Sequence, residues 1–208
     1  MALRKSNAVE ALREVADREH ARDLPGLLAQ LRSGDVEQRR WAARDLSPHA
    51  EAAAALGEQL LREREPSVRE AMFTSLGTMA SEAAVAALLP MLRSEDAQLR
   101  NGAIEGLCSM PQAVAPRVAA LLRDADADVR IFTVNLLGDL RHDQVLPWLR
   151  QVMQHDDAIN VVAAAIEVLA EVGSPSDIKA LRAAQQRFAG DAFIGFAADM
   201  AIERIEAP

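Results

Sequence analysis

The chain alternates short apolar stripes with polar turns, at a helical spacing, from one end to the other. Leu24, Leu27, Leu28 and Leu31 recur at the three- and four-residue intervals of one helix face. Val85, Leu88, Leu89 and Leu92 do the same, as do Val145, Leu146, Leu149 and Val152. Between these stripes lie short polar runs that carry helix-start residues. Asp23 is placed to cap one helix, with Pro25 tolerated in its first turn. Ser33-Gly34 reads as a stop, the glycine supplying a left-handed residue. Further starts are expected at Asp35, Pro66-Ser67, Ser81, Asp96, Asp126, Asp143, Asp156 or Asp157, Ser176 and Asp191. Pro111 and Pro116 bracket another. Asn7 with Glu10 forms a possible capping box for a leading helix over 7–20. The prediction is all-α: about six antiparallel helix pairs behind one N-terminal helix.

One stretch repeats inside this pattern. Asp126 to Gly138 reads DADVRIFTVNLLG, and related stretches occupy 35–46, 65–77 and 96–107. An acidic residue precedes an arginine by four places each time: Asp35/Arg39, Glu65/Arg69, Asp96/Arg100 and Asp126/Arg130. The arginines are spaced by 30, 31 and 30 residues; Val162 and Ile194 take the equivalent positions in a fifth and sixth unit. A fixed period in this range predicts a solenoid, in which neighbouring units stack because none buries its apolar face alone. The expected division is a capping helix over 1–22 and an array over 23–206. Its units are 23–47, 48–80, 81–110, 111–141, 142–173 and 174–206.

The residues carry a family resemblance. VREAMFTSLG (68–77) and VRIFTVNLLG (129–138) resemble the second helix of a HEAT repeat. The short period is similar to the compact bacterial subgroup named after phycobilisome lyases. The Trp-Leu-Gly-Tyr signature of tetratricopeptide repeats is missing. The resemblance implies an α-solenoid whose second helices line a concave face. It also implies that each Asp caps a second helix while each Arg reaches the turn or Asp of the adjacent unit, as a ladder.

Composition narrows the function. The 208 residues are half hydrophobic but only 3% aromatic, with a net charge of −8. Residues 105–208 carry 9 basic and 15 acidic groups. That balance argues against a nucleic-acid groove or an anionic membrane surface. A single cysteine, Cys108, excludes an internal disulfide and reads as a small core residue. There is no secretory leader and no apolar run long enough for a bilayer, so a cytoplasmic protein is expected.

Several HEAT-like proteins are enzymes, and the residues of this chain bear on each kind. The deoxyhypusine hydroxylases hold iron on repeated His-Glu pairs; none of His20, His49, His142 and His155 is followed by Glu. The alkylpurine DNA glycosylases use a basic groove with Trp, which Trp41 beside Arg39, Arg40 and Arg44 faintly resembles. Asp124, Asp126 and Asp128 begin like a calcium loop, but Val129 and Asn135 stand where Gly and Glu are needed. His155-Asp156-Asp157 reads as a solvated turn and cap. No catalytic residue, metal or cofactor is assigned. A lyase acting on a bilin-type chromophore is the enzymatic alternative that the repeat type leaves open.

The expectation is a scaffold that binds another protein. Two places after the repeat Arg stand Trp41, Ala71, Gly102, Phe132, Ala164 and Phe196. Three further on stand Arg44, Thr74, Glu105, Asn135, Glu167 and Asp199. Ala71 and Gly102 would form a small-residue floor between Trp41 and Phe132 for a partner helix. The rim would run from basic (Arg40, Arg44) to acidic (Glu167, Asp199). The aromatics read equally as packing between adjacent second helices. Trp148, beside Pro147, reads as packing between repeats.

Overall fold

The computed structural model describes residues 20–207, and the leading helix expected over 7–20 lies outside them apart from His20. The described residues contain twelve α-helices and no strand. In chain order these are α1 (Leu24–Gln30), α2 (Val36–Asp45), α3 (Ala53–Leu60), α4 (Pro66–Met79), α5 (Glu82–Leu88) and α6 (Ala97–Cys108). The rest are α7 (Pro111–Leu121), α8 (Ala127–Asp139), α9 (Val145–His155), α10 (Ile159–Val172), α11 (Ile178–Arg187) and α12 (Ala192–Glu206). Short 3₁₀ turns occupy Ala50–Ala52, Leu89–Arg93 and Pro175–Asp177.

The helices start where short polar side chains take up orphan N–H groups. Asp23 accepts from Gly26, Asp35 from Gln38, Ser81 from Ala84, Asp96 from Gln98 and Asp126 from Asp128. Asp191 accepts from both Phe193 and Ile194. Each such cap contributes about 1 kcal/mol.

Some expected signals work differently. Gly34 is not left-handed; positive φ occurs among the described residues at Ala80 alone, with φ 45°, where it ends α4. Glu65 precedes α4 without a side-chain cap, and Gln144 rather than Asp143 stands at the start of α9. Ser174, not Ser176, makes the capping box, exchanging hydrogen bonds with Asp177. Pro111 opens α7, but Pro116 does not lie at its start: it sits exposed in the middle of a continuous helix.

The even-numbered helices form one layer, each packed on the next from α2 to α12. The odd-numbered helices lie beside them, with α3 on α5, α5 on α7 and α9 on α11. A single apolar core runs along the array from Leu27 to Ile202. Its side chains are mostly Ala, Leu and Val, whose small volumes let the helices approach closely. At Gly57 the approach is close enough that a Cβ would meet the Ala87 methyl at 2.9 Å. Trp148 packs half-buried against this core and stacks on His142, with ring centroids 5.3 Å apart. The architecture is an α-solenoid.

Candidate functional site

Two features are built along the even-numbered layer: a chain of polar joints at the turns, and an open face with grooves between the helices.

The joints begin with one local geometry. Each repeat arginine donates back to the carbonyls of its own turn, five and six residues earlier. Arg39 reaches Ser33 and Gly34, Arg100 reaches Ser94 and Glu95, and Arg130 reaches Asp124 and Ala125. Arg69 reaches Glu63 through its Nε at 2.8 Å. The guanidinium therefore ties the end of one helix pair's first arm to its second arm, before any contact with a neighbour.

The inter-unit acceptor lies six residues before the next repeat position more often than four. Arg39 makes a bidentate pair with Glu63, at 2.7 and 3.0 Å. Arg130 pairs the same way with Asp156, at 2.7 and 3.2 Å. Arg69 instead takes Asp96, at 2.8 Å, because Ser94 holds the earlier position. Arg100 makes no such pair in its unit. The carboxylate at the equivalent spacing, Asp124, is bound by Arg93, which also approaches Asp126 at 3.5 Å. The Arg100 guanidinium lies over the Phe132 ring instead, 4.8 Å from its centroid.

The column Ser33, Glu63, Ser94, Asp124 and Asp156 was not singled out from the sequence. Each of these side chains accepts the backbone N–H two residues on, at Asp35, Glu65, Asp96, Asp126 and Ala158. It shapes the turn, and where acidic it also receives the neighbour's cation. Its regular spacing was the available signal. Asp156 is thus a structural acceptor, not a solvated turn residue.

The electrostatics follow from these contacts. Burial alone would raise the Glu63 carboxyl. The Arg39 hydrogen bonds and the N–H groups of Glu65 and Arg64 outweigh it and bring the pKa down from 4.5 to about 2. Arg39 and Arg130 are held above the usual guanidinium value by their carboxylate partners. Asp96 is lowered by its bond from Arg69. Cys108 is pushed up to about 12, first by burial and then by Asp139 and Glu105, so it stays a thiol. No group of three or more His, Cys, Asp or Glu side chains among the described residues is gathered to hold a metal.

The open face departs from the expected floor. Ala71 is only 6% exposed, so its methyl offers a partner almost nothing. Gly102 is covered by the Phe73 ring; a Cβ there would lie 2.3 Å from Phe73 Cε2. Phe132 is half-buried beneath Arg100 and packs on the core. Ala164 is buried. The ends of the same column differ: Trp41 is 40% and Phe196 65% exposed. Arg40 is half-buried, while Arg44, Glu105, Asn135, Glu167 and Asp199 are exposed.

Between α4 and α6 runs an open groove of about 840 Å³, lined by Glu70, Phe73, Thr74, Asn101, Gly102 and Glu105. Between α10 and α12 lies a second, of about 500 Å³, floored by Phe196, Ala197 and Met200. Glu105, Gly102, Glu167 and Phe196 therefore line grooves, whereas Ala71 and Phe132 are packing residues.

Comparison with known proteins adds the decisive observation: a profile of HEAT repeats matches residues 24–108 and 114–188. The chain belongs to the HEAT-repeat family. The match is to HEAT repeats in general. No curated protein matches the chain in sequence. Among solved structures, it is similar to a TOG domain array of microtubule polymerases, described as recruiting tubulin. That likeness has a TM-score of 0.58 at 10% identity, over 96% of this chain and 51% of the other. A computationally designed armadillo repeat protein for modular peptide recognition is similar over 88% of this chain and all of its own, at 17% identity and TM-score 0.42. These likenesses concern the fold. No helix among the described residues is long and apolar enough to cross a membrane.

Proposed function

We propose that this HEAT array is a protein-binding scaffold that presents its even-numbered helix layer to a partner. The observation that supports the reading most directly is one exposed column. Arg44, Thr74, Glu105, Asn135, Glu167 and Asp199 occupy the same repeat position on α2, α4, α6, α8, α10 and α12, and all six are exposed. The column one place before it, Ala43, Phe73, Ile104, Val134, Ile166 and Ala198, is apolar in every unit. The exposed column is basic at Arg44, alternates neutral and acidic from Thr74 to Asn135, and is acidic at Glu167 and Asp199, as a surface matched to a polar partner would be. The grooves beside it, of about 840 and 500 Å³, are open clefts between helices that suit an extended or helical segment. The mechanism is display of a rigid surface. A pathway of regulatory or signalling assembly in a bacterial cytoplasm is the setting that the repeat resemblance suggests.

Photo-crosslinking tests this. A photoreactive side chain at Glu105 or Asn135, on the even-numbered layer, is expected to capture a defined protein in cells. One at Glu58 or Arg117, exposed on the odd-numbered helices α3 and α7, is expected not to. Capture from the odd-numbered layer alone, or from neither, overturns the proposal.

A further inference from the structure

Helix α12 carries more apolar surface than its own packing uses. One stripe, Ile194, Ala198, Ala201 and Ile202, is buried in the array. A second stripe, Phe193, Phe196 and Met200, follows the same three- and four-residue spacing and is 56%, 65% and 49% exposed. A helix packed on its neighbours by one face needs one such stripe, and α12 carries two. The open stripe faces α10, whose Ile166 and Ala170 complete the cleft of about 500 Å³.

The rim of that cleft is acidic. Glu167 and Glu203 line it directly, together with one cation, Arg204. The neighbouring cleft between α8 and α10 shares Glu167 and adds Asp139 and Glu171. Arg204 is paired with Glu171 at 2.7 Å and Arg182 with Asp199 at 3.2 Å, which leaves Glu167, Glu203 and Asp139 as the acidic groups outside these pairs. An apolar floor with a negative rim repels anionic membrane and nucleic acid. The described residues hold no open strand edge on which an extended peptide could add. A cleft between two helices takes a third helix by its apolar face.

Resting on the scaffold reading above, we infer that the α10–α12 cleft docks a Lys/Arg-rich amphipathic helix of the partner protein. Phe196 and Met200 receive its apolar face. Glu167, Glu203 and Asp139 meet its flanking cations, which sets orientation and association rate.

The test is fluorescence anisotropy with a labelled 18-residue Leu/Lys amphipathic helix against its Leu/Glu counterpart. The Leu/Lys helix is expected to bind and the Leu/Glu helix to bind at least about tenfold more weakly, equivalent to about 1.4 kcal/mol. Phe196→Ala with Met200→Ala is expected to weaken the Leu/Lys helix by about tenfold or more, as loss of central aromatic and sulfur contacts does. Because these side chains are 65% and 49% exposed, the variant should keep its thermal melt, read by circular dichroism. Glu167→Gln with Glu203→Gln is expected to flatten the salt dependence. Equal binding of both peptides, or full retention of binding in the Phe196/Met200 variant, overturns the inference.

A display selection of helical peptides separates this inference from the broader reading. Basic peptides that protect α12 support both. Peptides that map to the α4–α6 groove overturn the basic-helix site and leave the scaffold standing. Peptides that map only to the odd-numbered layer overturn both. Sedimentation that shows a dimer lost in Phe196→Ala, with no Leu/Lys binding, assigns the cleft to self-association and overturns the inference.

Discussion

The first four second helices and the last two are held in place by different chemistry. In α2, α4, α6 and α8 an arginine clamps its own turn and, in three of the four, also bridges to a carboxylate of the next unit. In α10 and α12 the same position is Val162 or Ile194, and both are fully buried. Polar joints do not vanish there; they move to the other layer. Arg150 of α9 bonds to the buried Asp177 at 2.6 Å, and Arg187 of α11 donates to the carbonyls of Gln154 and Asp156. Apolar contact is therefore not the only thing holding the last units, contrary to what the loss of the arginines implies on its face. A stacked array needs one polar joint per turn to satisfy its backbone, but no particular residue must supply it. With the joint on the odd-numbered side, the arginine position in α10 and α12 is filled by buried apolar side chains, Val162 and Ile194.

The sharpest way to break this comparison is to write the first chemistry into the second region. Val162→Arg would put a guanidinium where Val161 to Ile166 are all buried. Asp156, the acceptor six residues back, is already bound by Arg130, and its carbonyl by Arg187. A buried cation with no acceptor costs several kcal/mol. The expected loss is about 3 kcal/mol or more, read as a lower urea midpoint. A loss below about 1 kcal/mol would mean that the two regions are interchangeable and the contrast is superficial.

The next test removes a joint from the first region. Glu63 is nearly buried and serves Arg39 together with the N–H groups of Arg64 and Glu65. Glu63→Ala leaves Arg39 without its carboxylate, and breaking such a pair costs roughly 3 kcal/mol. The double variant with Arg39→Met is expected to recover a large part of that loss, since the stranded charge is what makes the single change expensive. Double-mutant thermodynamics would sink the idea if the two losses simply added.

How much of this was readable beforehand differs between fold and site. The helices, their number and their stacking follow from apolar stripes and short caps, which act within a few residues. Asp35, Asp96 and Asp126 show this directly, because each caps a backbone N–H two or three places on. The destinations of the arginines were not readable, because a flexible side chain chooses among acceptors some twenty-five residues away. Arg100 shows the difficulty: its neighbour's Asp124 was taken by Arg93 on a 3₁₀ turn, and a phenyl ring became its partner. The surface at Ala71 and Gly102 is less bare than the sequence suggests for a related reason. A small residue on one helix invites a large one from the next, and Phe73 fills the space at Gly102.

Acid gives a smaller effect with a defined sign. The folded Glu63 carboxyl titrates near 2, below its ordinary 4.5, so its contribution is complete above 4.5 and disappears as pH falls toward 2. Asp96 and Asp177 are lowered too and act in the same direction. Glu63 alone accounts for roughly 2–3 kcal/mol over that window. In Glu63→Gln the acid-induced fall in urea midpoint should be shallower than in the parent chain. An unchanged slope between pH 5 and about 2.5 would show that the joint does not carry the linkage.

The smallest expected effect sharpens the comparison from the other side. Arg204 and Glu171 approach to 2.7 Å across α10 and α12, so by distance alone they match the Arg39–Glu63 pair of the first region. Both side chains are 60% exposed, and neither holds a turn carbonyl in place. Water screens such a pair, and ordering two long side chains consumes most of the gain, so Arg204→Ala should cost less than about 0.5 kcal/mol. The urea midpoint should hardly move, and it should be no more sensitive to salt than the parent's. A loss above about 1 kcal/mol would mean that the last two units do use an ion pair on the even-numbered layer. The division between arginine-jointed and apolar-faced units would then be one of residue identity rather than of mechanism.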